Sequence, residues 1–243
     1  MSARNTVATA RRVLQQLRHD HRTVALILVV PCVLMGLLAW MLDDNDFDQY
    51  GTPLLGIFPL IVMFLTTSVA TLRERSSGTL ERLLSMPIGK GDFVFGYAIA
   101  FGLLAVVQAL VVSGLSMGPF GLEVMGPAWA IIVIAVVNAL LGTALGLFVS
   151  AFATTEFQAV QFMPAVILPQ LLLCGIVVPR DQLPTALEWI SDVLPMSYTV
   201  DATTAVMTNT SVTSGFWADI AIVAGFMAVG LALGAATLRR RTP

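Results

Sequence analysis

The chain is short of charge. Only 12% of its 243 residues are Asp, Glu, Lys or Arg, about half the share usual in a soluble globular domain. With 57% hydrophobic residues and a mean hydropathy of +0.85, its solvent is bilayer rather than water. Cysteine and histidine are scarce as well, two of each. Cys32 and Cys174 sit inside apolar runs and read as small buried hydrophobes, not as a disulfide or a metal pair. His19 and His21 flank Asp20. Residues two apart do not share a helical face, and a protein zinc site takes at least three converging ligands. No G-x-x-x-x-G-K-[ST] phosphate loop occurs, and "PIGKGD" (Pro87 to Asp92) lacks its spacing, so ATP is not bound by that device. The stretches between apolar runs are too short for an ATPase domain. No Ser-His-Asp or paired-carboxylate constellation stands out. No ionisable group lies at the middle of an apolar run, which argues against a proton-driven carrier. The first run has no A-x-A-like cleavage site behind it and reads as an uncleaved span.

What is present is six apolar runs of spanning length. They are Thr23–Leu42, Leu54–Leu72, Phe93–Met117, Trp129–Ala153, Ala159–Val178 and Phe216–Leu238, each near the 20 or so residues a bilayer asks for. The basic residues fall on one side of them. Arg4, Arg11, Arg12, Arg18 and Arg22 precede the first run; Arg73, Arg75, Arg82 and Lys90 follow the second; Arg239, Arg240 and Arg241 follow the sixth. Only Arg180 lies opposite, beside the acidic first outer loop of Asp43, Asp44, Asp46 and Asp48. By the positive-inside rule, both termini and the loop after the second run are cytoplasmic. The expectation is a multi-pass protein of the plasma or inner membrane.

Two cytoplasmic pieces carry helical periodicity. Ala10, Val13, Leu14 and Leu17 form an i, i+3, i+4, i+7 face flanked by Arg11, Arg12 and Arg18. Such a helix suits the membrane interface, its basic groups near anionic headgroups. In "RERSSGTLERLLSMP" (Arg73 to Pro87), Leu80, Leu83, Leu84 and Pro87 repeat the same spacing. Ser76 and Ser77 are good N-cap types, and Pro87 turns Met86 away from helix. A helix of two or three turns is marginal alone in water and needs a surface. Pattern leaves two surfaces open: the membrane interface and neighbouring spans, or a cytoplasmic partner.

"ERSSGTLERLLSMPIGKGDFVFG" (Glu74 to Gly96) resembles the signature of the ABC-2 type exporter permeases. That family includes the daunorubicin-resistance-type drug efflux permeases and is related to the ABCG-type exporters. The matching positions are Glu74, Gly78, Thr79, Glu81, Leu83, Pro87 and Ile88. "VLPMSYTVDA" (Val193 to Ala202) and "GIVVPRDQLP" (Gly175 to Pro184) resemble two looser markers of the same family. The resemblance runs over essentially the whole chain and implies a single transmembrane domain over residues 1–243. The fold expected is an all-α membrane protein of six transmembrane helices, and the resemblance implies an interface helix at 1–22, a cytoplasmic coupling loop at 73–92 and an outer-face helical hairpin at 179–215. It implies that the helix after the second span contacts a separate ATPase subunit through Glu74, Gly78, Thr79, Leu80, Glu81, Arg82, Leu83, Leu84 and Pro87. ATP and Mg would then sit on that partner, present in two copies, and this chain would bind no cofactor and have no ATPase site of its own. A second permease chain, the same or different, would complete the path for an amphiphilic cargo: a drug-like molecule, lipid or glycolipid. No nucleic acid is implied. The runner-up readings are an ATP-independent carrier or channel, and a membrane anchor for a soluble partner.

Inside the spans, Gln108, Asn138, Gln161 and Gln170 are the polar candidates for a path. Asn138, Gly142, Gly146 and Ser150 recur every four residues, a stripe along which helices pack closely in lipid. Packing within one protomer is the default for it; a dimer seam or a cavity wall is the alternative. Between the fifth and sixth spans, Leu183, Leu187, Ile190 and Leu194 form an apolar stripe bracketed by Pro184 and Pro195. It predicts a helix whose apolar face is covered by the ends of the spans, with a second short helix from Tyr198 to Met207, both dipping into the outer leaflet; an ordinary surface hairpin is the alternative.

Overall fold

The computed structural model describes residues 3–76 and 89–237. Every regular element among them is a helix, and six helices are long and apolar enough to cross a bilayer. Helix α1 (Ala3–His19) lies ahead of the spans. Asp20 ends it and caps α2 (His21–Met41), its carboxylate accepting from the Thr23 N–H at 3.1 Å and the Thr23 hydroxyl at 2.6 Å. Helix α3 (Asp44–Ser76) runs back. Then follow α4 (Lys90–Met117), α5 (Ala128–Val149) and α6 (Glu156–Leu173). A 3₁₀ turn at Arg180–Gln182, α7 (Thr185–Asp192) and α8 (Pro195–Thr208) form the hairpin before α9 (Ser214–Thr237).

Two boundaries differ from the sequence reading. The aspartates expected in a loop open α3 instead, with Asp44 and Asp46 in its first turn. Carboxylates there meet unpaired N–H groups and the positive end of the helix dipole, so the span gains ten residues ahead of Leu54. Helix α6 stops at Leu173 rather than Val178. Gly175 takes a left-handed φ of +99°, a turn open to glycine, and the chain folds back.

Helices α3 and α5 form the centre and are mostly buried, while α2, α6 and α9 are mostly exposed and ring them. Glycine sets the central contact. A Cβ on Gly146 would stand 2.6 Å from the Phe64 carbonyl oxygen, and one on Gly142 would collide with the Leu60 backbone. The small-residue stripe of α5 therefore packs on α3 inside this one chain. Helix α1 docks on α4 in the same way, with Thr9 lying over Gly96. Its predicted apolar face divides: Ala10 and Val13 are buried, Leu14 and Leu17 partly covered. Its exposed side carries Arg4, Arg11 and Arg18, seven residues apart on one face. The face predicted to rest on lipid thus rests largely on protein.

In the hairpin, α8 begins at Pro195, earlier than Tyr198, because proline suits the first helical position. The stripe on α7 is a correction. Leu187 and Ile190 are 37% and 47% exposed, not covered by the spans. This two-turn helix holds on through Ser191, whose hydroxyl donates to the Leu173 carbonyl at 2.9 Å and bonds the Ser197 hydroxyl at 2.9 Å. All four tryptophans, Trp40, Trp129, Trp189 and Trp217, lie at this same end and are exposed. Amphipathic rings gathered at one level mark a membrane–water boundary, and they place the exposed face of α7 there.

Candidate functional site

The candidate site is the end of the bundle where α3 stops at Ser76 and α4 begins at Lys90. Gly78, Thr79, Leu80, Glu81, Arg82, Leu83, Leu84 and Pro87 lie outside the described residues. Glu74 is described and is tied to α1. The Arg12 guanidinium approaches it at 3.4 Å, and the Gln16 amide donates to it at 3.1 Å. Arg12 also donates to the Tyr97 hydroxyl of α4 at 3.1 Å, so one basic side chain links α1, α3 and α4. Arg73 forks onto Glu156 at 2.7 and 2.9 Å, tying the end of α3 to the start of α6. Arg75 donates to the Ser150 carbonyl at the end of α5. On the far side, Asp92 accepts from the Gly89 N–H at 3.1 Å and the Thr6 hydroxyl at 3.3 Å. Five helices, α1, α3, α4, α5 and α6, are thus tied together around the point where the chain leaves and returns.

Beside this junction a cavity of about 660 Å³ opens between α1, α2, α3 and α4. Leu26, Val30, Val62, Leu65 and Val69 make apolar walls; Gln16, Asp20, Arg73 and Glu74 stand at its mouth. Asp20 holds its carboxyl below the usual carboxylate range, first through the Thr23 hydroxyl bond and then through the Thr23 N–H.

The structure does not bring the four amides together, and none of them lines this cavity. Gln108, fully buried, donates to the Ile27 carbonyl at 2.8 Å. Pro31, four residues on, has no N–H to offer that carbonyl, so Gln108 satisfies a group the proline frees. Asn138 is buried and accepts from the Thr199 hydroxyl at 2.8 Å, joining α5 to α8. Gln170 donates to Val166 of its own helix at 2.9 Å, and Gln161 is exposed. Two of the four are therefore interhelical struts.

At the opposite end stands a group whose role the sequence reading missed. Arg180 binds Asp192 of α7 and Asp201 of α8, and its guanidinium lies 5.9 Å from the centre of the Tyr198 ring. Burial pushes the Asp201 carboxyl up, with Arg180 opposing. The signal was present: Arg180 is the one basic residue on its side, among acids.

Residues 4–208 match the family model described as ABC-2 type transporter. "ABC transporter G family member 20" of Dictyostelium discoideum is 28% identical over 141 residues, covering 58% of this chain and 19% of that protein. "Probable multidrug ABC transporter permease YbhR" of Escherichia coli strain K12 is 26% identical over 165 residues, 68% of this chain and 45% of the relative. "Linearmycin resistance permease protein LnrN" of Bacillus subtilis strain 168 is 23% identical over 213 residues, 87% and 55% respectively. The chain thus spans from about a fifth to about half the length of these relatives. The six spanning helices and a match across most of the chain give one conclusion: this chain belongs to the ABC-2 type transporter family.

Proposed function

We propose that this chain is the membrane-spanning permease subunit of an ATP-driven exporter, working with a separate ATPase that holds ATP and Mg. The observation that carries the reading is the family match over residues 4–208, which includes Glu74 and the segment behind it. In this reading two copies of the ATPase grip the segment between Ser76 and Gly89, with Leu83 and Leu84 in an apolar groove and Glu81 or Arg82 at its rim. Closure of the ATPases pushes the Glu74–Arg12–Tyr97 clamp and rocks α3 and α4. A second permease chain completes the path, and the cargo is amphiphilic, as the multidrug and linearmycin resistance named for its relatives suggests. The basic end, with both termini, faces the cytoplasm. No phosphate loop occurs in these 243 residues, which supports hydrolysis on the partner.

The test is reconstitution with the ATPase in nanodiscs. Leu83→Ala with Leu84→Ala is expected to lower ATPase binding by a few kcal/mol, as loss of a buried anchor does, and to abolish cargo-stimulated turnover while the protein still inserts. Arg82→Ala should act mildly and in a salt-dependent way. Unchanged binding and transport in the double variant would assign the segment to lipid. Transport without any ATPase would favour a carrier instead.

A further inference from the structure

We propose that the cavity between α2 and α3 binds a phospholipid with a primary-ammonium head, the ammonium at Asp20, the phosphate towards Arg73 and one acyl chain between the helices. The volume of about 660 Å³ falls in the range of roughly 300–1,000 Å³ typical of small-molecule sites. Its lining on α2 runs from Thr23 to Val30, about 10 Å of depth at 1.5 Å per residue, so it continues into the spanning region. Leu26 lines it and is 61% exposed, so the cavity opens sideways past α2 towards lipid.

The mouth selects the head by charge. Arg12 is paired with Glu74 and Arg73 with Glu156. Among the described charged groups lining or pairing there, the two guanidiniums face three carboxylates, the third being Asp20, whose hydrogen bonds go to Thr23 of its own cap. These described groups carry one net negative charge, which favours a cation beside Asp20 over a purely anionic head. Arg73 sits near enough to act on Asp20 electrostatically. Asp20 and Arg73 both line the cavity; a carboxylate and a guanidinium in one site complement a zwitterion, and a primary ammonium adds N–H donors for the Asp20 oxygens.

This site does not depend on the proposed export activity, because binding is read on the permease alone, without ATPase. The probes are dioctanoyl phosphatidylethanolamine and dioctanoyl phosphatidylglycerol, titrated into detergent-solubilised protein and counted by native mass spectrometry. One ethanolamine lipid should be retained at least tenfold more tightly than the glycerol lipid. Asp20→Asn keeps an N-cap of equal quality and should remove that preference. Val69→Trp should fill the apolar wall and weaken both lipids, whereas Val33→Trp on the outer face of α2 should change neither. If Val69→Trp fails to fold, as judged by melting, Leu65→Phe takes its place. Equal retention of the two lipids by wild type, or an ethanolamine preference intact in Asp20→Asn, would overturn the proposal.

Discussion

At the residue scale, the informative side chains are those that repair what another residue breaks. Pro31 leaves the Ile27 carbonyl without its helical donor, and Gln108 reaches across from α4 to supply one. Gln108→Leu should cost about 1–3 kcal/mol, the penalty of an orphaned buried acceptor. Pro31→Ala restores an N–H to the same carbonyl, so adding it should recover most of the loss. A double-mutant cycle on thermal melting measures this, and strict additivity would show that the two residues are uncoupled. Gly142 is the second such position. Gly142→Ala drives a methyl into the Leu60 backbone and should cost about 1–3 kcal/mol. Gly225→Ala, where nothing lies within 4 Å, should be neutral or stabilising. Equal melting of both variants would mean that α3 and α5 are free to part. The sequence showed Gln108 and Gly142 but not their tasks. An amide in an apolar run looks alike whether it lines a path or braces a proline, because the partner lies 81 positions away in the chain.

At the element scale, the long helices were legible because length and apolar composition suffice for a span. Their ends were less so. The first turn of α3 is polar, and its position at a helix start is what makes Asp44, Asp46 and Asp48, three aspartates within five residues, compatible with helix. The short α7 was legible, but the expected cover of its stripe by the ends of the spans is not there, Leu187 and Ile190 being exposed. A stripe shows that something covers it, and in a bilayer that cover includes lipid. What holds this hairpin is Arg180. Arg180→Met should lower the melting point by the equivalent of about 1 kcal/mol, since its ion pairs are partly exposed. The loss should depend on pH. The Asp201 carboxyl is raised by burial, so its ionised form opposes folding, and the stability it favours is present at low pH and lost as pH rises through the folded value. Without Arg180 to offset that charge, the variant should be weakened less at acid pH, where Asp201 takes up its proton, than at neutral pH. A pH-independent loss would point to packing on Tyr198 rather than charge.

At the scale of the whole molecule, the two ends are chemically opposite. One end carries α1 and its basic face; the other carries the tryptophans, the aspartates and the hairpin. With Cys32 and Cys174 replaced, single cysteines at Asp46 and Thr210 should react with an impermeant maleimide in intact cells. One at Ser76 should react only after permeabilisation. Labelling at Ser76 from outside would invert the orientation and remove the proposed docking segment from the reach of any ATPase. The 33 residues of α3 make a rod about 50 Å long at 1.5 Å per residue, against a hydrocarbon core of about 30 Å. One continuous helix therefore stands clear of the membrane while its middle is held by α5. In mechanical language this is a lever with its fulcrum at the glycine contact. A tilt of roughly 5° about that contact sweeps each end, about 25 Å away, through about 2 Å. Leverage of that kind needs no rearrangement within the helix itself.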